Sequence, residues 1–252
     1  MTVPDLFHAF VSFHIVAGGV GLIAFWVPVI AKKGGDIHRR AGRVFTWALL
    51  LAGSAAVGIS ICTLVDPMGT HPQLQSHAVF GDPQMVSAIF GWMMLGLAIL
   101  TLNLAWHGWL CVLRRRDRIA TREWRNLALQ AATFVAATNC AWQGYVIGQP
   151  LMLGMSFIGW ATVATNLFYL YRPRVGPLDW LKEHVKALVG AGISVYTAFF
   201  AFGAVRTFPA LALHPILWAI PLTVGLSIIL YQHRKIGRPL RSIAPDSSAP
   251  AQ

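Results

Sequence analysis

Residues 6–31 read LFHAFVSFHIVAGGVGLIAFWVPVIA, and the residues that follow, 32–43, read KKGGDIHRRAGR. The first stretch is longer than the roughly 20 apolar residues that an α-helix needs to cross the hydrocarbon core of a bilayer. The second stretch contains five Lys and Arg residues. An apolar run followed by a basic block predicts a membrane-spanning helix that ends on the cytoplasmic side.

The same alternation of apolar runs and basic segments continues along the chain. The composition is 56% hydrophobic and 12% charged, which leaves too little polar surface to cover a water-soluble protein of 252 residues. The runs are continuously apolar and lack a period of two, so helices are favoured over a β-barrel. We predict an all-α integral membrane protein, a single domain over residues 1–241, with seven transmembrane helices at 6–31, 44–65, 86–110, 127–147, 151–171, 188–207 and 211–231, and a disordered tail at 242–252.

Lys and Arg are distributed unevenly between the predicted loops. Nineteen of the twenty lie in the first, third and fifth loops and in the C-terminal segment, and only Arg206 lies elsewhere. Because cytoplasmic loops carry the excess of Lys and Arg, the N-terminus is predicted to lie outside and the C-terminus in the cytoplasm. The net charge of +11 then reflects topology and attraction to anionic phospholipids of the bilayer, and nucleic acid is not an expected partner.

Histidine is the main ionisable residue type in the predicted spans, where ionisable side chains are costly to insert. Two histidines at one depth on different helices are suited to ligate a b-type haem from its two faces. The candidates are an outer pair of His14 with His214 or His8, and an inner pair drawn from His38, His107 and His184. The alternative for each ring is a hydrogen bond to a backbone carbonyl or a lipid headgroup.

Basic residues also crowd the start of the second predicted helix. Arg39, Arg40 and Arg43 lie there, and Asp36 is placed to act as the N-cap. A helix N-terminus with such side chains is a candidate site for a phosphate or carboxylate. The alternative, which we favour, is an anchor for lipid headgroups.

Neutral polar residues form a further group within the spans, and they are suited either to line a substrate path or to join helices by hydrogen bonds. The group comprises Asn103, Gln130, Asn139, Gln143, Asn166, Tyr196 and Thr197. All nine acidic residues fall outside the predicted spans, which argues against ion-coupled transport. No nucleotide-binding, nucleophile-elbow or zinc-protease motif is present, so no catalytic or metal-binding residue is assigned.

The N-terminal motif resembles the signature of a family of predicted polytopic bacterial membrane proteins of unknown function. The likeness rests on His14, Gly18 and Gly19, followed by Lys33-Gly34-x3-His38-Arg39-x2-Gly42, and on the segment 184–202 with Pro215 and Pro221 near the other end. The resemblance implies a multi-pass protein of the bacterial inner membrane and carries over no catalytic residue.

Two functional hypotheses follow. The first, which we favour, is a non-enzymatic membrane protein: a sensor, a small-solute carrier or an assembly partner. The second is a redox protein that uses the intramembrane and interfacial histidines to bind haem or to contact a quinone.

The predicted orientation can be tested with a reporter enzyme that is active only in the periplasm. We expect activity when it is fused before Asp5 or within the loop at 66–85, and no activity when it is fused at Arg118, because that segment is basic. Reporter activity at Arg118 would show that the orientation is the reverse.

Overall fold

The computed structural model describes residues 2–77, 80–115, 117–203 and 215–237, and its regular elements within these ranges are all helices. The helices are α1 (Val3–Ile30), α2 (Asp36–Val65), the one-turn α3 (Pro67–Thr70) and α4 (Pro83–Val86), α5 (Met94–Arg114), α6 (Trp124–Val146), α7 (Pro150–Tyr171), α8 (Asp179–Ala198) and α9 (Pro215–Gly237). A π-helical segment, Ser87–Met93, joins α4 to α5, and another, Phe199–Gly203, extends α8.

Within the described residues, six helical segments are long and apolar enough to cross a membrane. They are Val3–Ile30, Asp36–Val65, Pro83–Arg114, Pro150–Tyr171, Asp179–Ala201 and Ile216–Gly237. The all-α, multi-pass prediction is thus confirmed at the level of six candidate spans. The run at 127–147 is also helical, as α6, but it is not among the six.

The composition of α6 explains why it differs. Its buried positions recur every three or four residues and are Asn126, Gln130, Thr133, Ala137, Cys140 and Gly144. The first three of these, nearest the start of the helix, are polar. Its opposite side exposes large apolar residues such as Phe134, Val135 and Trp142. The low average hydropathy of α6 therefore comes from a polar stripe that faces the other helices, while an apolar side faces outward.

Two helices extend beyond the predicted spans at their N-terminal ends. The span predicted at 44–65 is part of α2, which begins at Asp36, and the span predicted at 188–207 is part of α8, which begins at Asp179. The extra turns contain Arg, Lys and Glu, which are good helix formers, so the helices continue beyond their apolar portions. The end of the latter span, Arg206, the start of the span at 211–231 and the tail at 242–252 lie outside the described residues.

Packing centres on α5, which contacts α2, α6, α7 and α8, while α1 pairs with α2 and α9 with α8. Small residues allow the closest approaches. At Gly159 of α7, an added Cβ would come within 2.7 Å of the Ala137 Cβ on α6, so only glycine fits there.

The basic segments meet at one end of the bundle, which we call the basic end. Arg118 Nη1 donates to the Arg172 carbonyl at 2.5 Å, which joins the α5–α6 loop to the α7–α8 loop. His233 Nε2 donates to the Lys182 carbonyl at 2.9 Å, which joins the end of α9 to the start of α8. The first loop lies there too, since Lys33 interacts electrostatically with Lys235.

Candidate functional site: a buried polar chain

A continuous series of hydrogen-bonded side chains runs through the interior of the bundle from the basic end. We call it the polar chain. Its members lie on α5, α6, α7 and α8 and are Asn103, His107, Asn126, Gln130, Thr133, Asn166 and Glu183. Each is at most 8% exposed, so these groups depend on one another for hydrogen bonds.

The ionisable part of the polar chain lies nearest the basic end. Because α8 begins at Asp179, Glu183 lies one turn inside the helix and faces α5. His107 Nε2 lies 3.2 Å from Glu183 Oε1, and the same carboxylate forms an ion pair with Lys186. Lys186 Nζ also donates to Thr165 Oγ1 at 3.1 Å, which extends the contacts to α7.

The second ring nitrogen of His107 faces the amide of Asn126. His107 Nδ1 lies 3.2 Å from Asn126 Nδ2 and 3.4 Å from Asn126 Oδ1. With Nε2–H donating to Glu183, a neutral ring accepts at Nδ1 from the amide nitrogen, which also donates to the Thr121 carbonyl at 2.9 Å. Both ring nitrogens of His107 are therefore occupied.

Beyond His107 the chain consists of neutral amides. Asn103 and Gln130 form a reciprocal pair, with Asn103 Nδ2 donating to Gln130 Oε1 at 3.1 Å and Gln130 Nε2 donating to Asn103 Oδ1 at 2.6 Å. Gln130 Oε1 also accepts from Asn166 Nδ2 at 3.3 Å, and Gln130 Nε2 reaches Asn126 Oδ1 at 3.4 Å. Gln130 thus joins α5, α6 and α7.

The polar chain ends beside a small cavity in the middle of the bundle. Asn103 Nδ2 donates to Thr133 Oγ1 at 2.8 Å, and Thr133 lines a cavity of about 20 Å³ together with Cys140, Ser156 and Gly159. A cavity of that size with hydroxyl groups in its wall has room for about one water molecule.

Three of the other predicted histidines contact backbone carbonyls. His14 Nδ1 lies 2.9 Å from the Ala52 carbonyl, His38 Nδ1 lies 3.0 Å from that of Pro28, and His184 Nδ1 lies 3.0 Å from that of Gly108. A hydrogen bond to a backbone carbonyl is the predicted alternative to haem ligation for each of these rings. His38 and His184 are near enough to interact electrostatically. His214 lies outside the described residues, so the structure gives no distance between it and His14.

Four of the seven predicted neutral polar residues join helices through side-chain hydrogen bonds. Asn103, Gln130 and Asn166 belong to the polar chain, whereas Tyr196 donates to the Leu22 carbonyl at 2.8 Å and accepts from Trp26 Nε1 at 2.6 Å. The hydrogen bonds of Tyr196 hold α8 against α1, as expected for residues that join helices.

The motif of the first loop is a helix cap. Lys33 Nζ donates to the carbonyls of Pro28 (2.7 Å) and Val29 (2.5 Å), and His38 contacts the Pro28 carbonyl as well. Gly34 makes the turn with a φ of 74°, which few residues other than glycine adopt. Burial and the charge of Lys235 lower the pKa of Lys33. Lys33 and His38 thus satisfy carbonyl groups in the last turn of α1, and Gly34 makes the turn that follows it.

The arginines predicted to bind a lipid headgroup or an anion have different surroundings. Arg39 Nη2 forms an ion pair with Asp36 Oδ1 at 2.7 Å, and both side chains are exposed. Gly35 occupies the N-cap position of α2, so the prediction of Asp36 as N-cap is wrong: Asp36 is the first helical residue and its side chain binds Arg39 instead. Arg40 and Arg43 are exposed.

Arginines of the α5–α6 loop cap α7 in a similar way. Arg122 Nε and Nη2 donate to the Leu170 carbonyl at 2.9 and 2.7 Å, and Arg118 Nη1 donates to the Tyr169 carbonyl at 3.2 Å. Positive side chains at a helix C-terminus also interact favourably with the helix dipole. Part of the basic charge of the chain therefore has a structural role at helix ends.

Sequence reasoning missed Glu183. The span was predicted to begin at residue 188, so this acid was assigned to a loop, and all nine acids were counted outside the spans. The structure places it in the buried face of α8, where buried residues also include Ala187 and Ala191. The spacing of four residues and the absence of Gly or Pro from 179 to 189 were the signals that a helix extends to Asp179.

No cluster of three or more His, Cys, Asp or Glu residues suited to hold a metal ion occurs in the part of the chain that the structure describes. Comparison with protein-family models, with curated proteins and with solved structures gives no match to this chain. The candidate site therefore rests on its own geometry.

We expect Gln130→Leu to destabilise the protein, because the substitution leaves the amides of Asn103 and Asn166 without their partner in the interior. The expected loss is about 1–3 kcal/mol, which corresponds to a fall in Tm of roughly 2–10 °C for a protein of this size. Thermal unfolding in detergent measures it.

Gln143→Leu is the matched control, since Gln143 lies on the same helix, is half-buried and makes no side-chain hydrogen bond within the described residues. An equal fall in Tm for the two variants would contradict the role of Gln130.

Proposed function

We propose that this chain is a non-enzymatic multi-pass protein of the bacterial inner membrane, with α6 as a seventh span, the N-terminus outside and the C-terminus in the cytoplasm. The 23-residue length of α6 and its apolar outer side support the seventh span. The basic end then lies in the cytoplasm. Membership of the family that the N-terminal motif resembles belongs to the same proposal.

Within this topology, we propose that binding and release of a proton at the His107–Glu183 pair operates a sensor or a small-solute carrier. The observation that carries the proposal is the 3.2 Å contact of these two groups in the interior of the bundle. Ionisable residues at such positions are costly and commonly belong to proton relays or substrate paths. The absence of acids from the predicted spans had argued against coupling to ions, and the position of Glu183 removes that argument.

Protonation of His107 requires a change in the hydrogen bonds of Asn126, and that change extends to Gln130. When the His107 ring is neutral, Nδ1 accepts from the Asn126 amide nitrogen. When the ring is protonated, Nδ1 becomes a donor and requires an oxygen. Asn126 Oδ1 lies only 3.4 Å away, so rotation of that amide supplies an acceptor. The rotation alters the contact with Gln130, which links to α7 through Asn166.

A proton on His107 changes the charge of a cluster that includes residues of three helices. Lys186 on α8 balances the charge of Glu183, so a proton on His107 adds one net positive charge to the cluster. The Cys111 thiol lies 3.8 Å from His107 Nε2, and the Tyr169 ring centroid lies 6.1 Å from that of His107. The pair thus contacts residues of α5, α7 and α8, whose packing the proton can influence.

We test the proposal by infrared difference spectroscopy of the protein in lipid nanodiscs, with isotope-labelled Asn and Gln side chains. The side-chain amide carbonyl bands of the natural protein should change between high and low pH. The change should be absent from His107→Gln, which has no ring to take up the proton, and reduced in Glu183→Gln, which lacks the carboxylate that His107 Nε2 contacts.

Glu123→Gln is the control, since Glu123 lies at the basic end and contacts Trp106 instead of the polar chain. Circular dichroism and gel filtration check that each variant is folded. One folded test variant, His107→Gln or Glu183→Gln, is enough for the comparison with the natural protein. An amide response that persists in both test variants would refute the proposal.

A redox protein remains the second candidate. Its support is that His38 and His184 each use Nδ1 to bind a carbonyl, which leaves Nε2 for another partner, as is typical of histidines that ligate metals. His107 is not part of this candidate, because both of its nitrogens are occupied within the polar chain.

An absorption spectrum before and after dithionite tests the haem hypothesis. For protein purified from its own haem-replete host, this hypothesis predicts a b-type reduced-minus-oxidised difference spectrum. The difference should be lost in His184→Ala. It should be retained in His71→Ala, because the ring of His71 packs on Phe7 and Phe90. Absence of a Soret band from folded protein would exclude haem.

A further inference from the structure

An open groove lies between α2 and α6, over the exposed side of α5. It has a volume of about 510 Å³, within the range of roughly 300–1,000 Å³ that is usual for ligand sites. Leu50 forms its wall on α2, Leu102 and Trp106 form its floor on α5, and Ala128 and Ala132 form its wall on α6. No described residue of another helix covers this groove.

Positive charge lies at one end of the groove. Arg125 lines it on α6 at the basic end, and its guanidinium lies 5.6 Å from the centre of the Trp124 ring. On α2, Arg43 precedes Leu50 by seven residues, so helical periodicity places it on the same face, about 10 Å nearer the basic end. On α6, Arg125 likewise precedes Ala132 by seven residues. Each arginine therefore lies about 10 Å nearer the basic end than a lining residue of its own helix.

Neither arginine forms an ion pair with a residue that the structure describes. Among the described residues, the ion pairs of the basic end involve Arg39, Arg172, Lys182 and Lys186, and none involves Arg43 or Arg125. The nearest acid along α6, Glu123, accepts a hydrogen bond from Trp106 Nε1 at 3.0 Å and is not part of the groove lining. The groove therefore combines apolar walls with one arginine in its lining, Arg125, and a second, Arg43, on the same face of α2 as Leu50; neither has an ion-pair partner among the described residues.

We propose that this groove binds one anionic phospholipid of the cytoplasmic leaflet, with an acyl chain along α5 and the phosphate between Arg43 and Arg125. The positions of the two charges match the headgroup level, and the apolar walls match the acyl region. A second copy of the chain is a poor occupant, because in the same topology its own basic end would face these arginines. A quinone has no negative charge to engage them. This site is separate from the polar chain and does not depend on protonation of His107.

Native mass spectrometry of the detergent-solubilised protein tests the site, by titration with phosphatidylglycerol and with phosphatidylcholine of the same acyl chains. The protein should prefer phosphatidylglycerol for the first bound lipid. Arg43→Gln and Arg125→Gln should each reduce this preference about fivefold, the effect of one basic residue at a lipid surface. Arg40→Gln, at an exposed position of α2 about one helical quarter-turn away from the groove face, should change it less than twofold.

A second pair of variants tests the apolar part of the groove. Ala132→Phe fills the groove and should weaken the first binding event for both lipids. Ala131→Phe, the adjacent and exposed residue outside the groove lining, should not. Equal effects of Arg40→Gln and Arg125→Gln, or no preference for phosphatidylglycerol in the natural protein, would overturn the proposal. So would a change of oligomeric mass in Ala132→Phe with lipid binding unaltered, which would identify the groove as an interface between copies.

Discussion

A carboxylate in the interior of an apolar helix bundle requires partners, and the contacts of Glu183 with His107 and Lys186 supply them. Removing one member of a buried ion pair commonly costs about 3–5 kcal/mol, because the remaining charge has no solvent to replace its partner. This requirement fixes how α8 lies against α5. His107 in turn needs an amide on α6, and the amides continue to α7. The arrangement of four helices is thus coupled to one set of polar contacts.

The same requirement explains the helix ends. The last carbonyl groups of a helix have no partner within it, and at the basic end Lys33, His38, Arg118 and Arg122 donate to them. These basic residues therefore stabilise the ends of α1 and α7. Arg43 and Arg125 differ from these, because they are exposed and donate to no helix-end carbonyl among the described residues.

The two faces of α6 differ in polarity. Its outer side exposes Phe134, Val135 and Trp142, whereas its inner side carries the amides that His107 and Asn103 need. Averaged over a window, these two faces cancel, and a hydropathy criterion does not select the helix. The face-by-face pattern is the more informative quantity for a helix of this kind, because burial, and not mean composition, separates its polar from its apolar residues.

The sequence by itself determined the helical class, the approximate positions of the apolar runs and the concentration of basic residues in alternate segments, since these depend on local composition and on the thickness of a bilayer. It also singled out Asn103, Gln130 and Asn166 as residues that either line a substrate path or join helices. Only the tertiary structure decided that Glu183 faces His107, 76 residues away, that the histidines at 14, 38 and 184 contact carbonyls, and that a groove remains open over α5. Those contacts depend on which helix faces pack together, and helix packing is set by side chains distant in sequence, such as the pair Gly159 and Ala137.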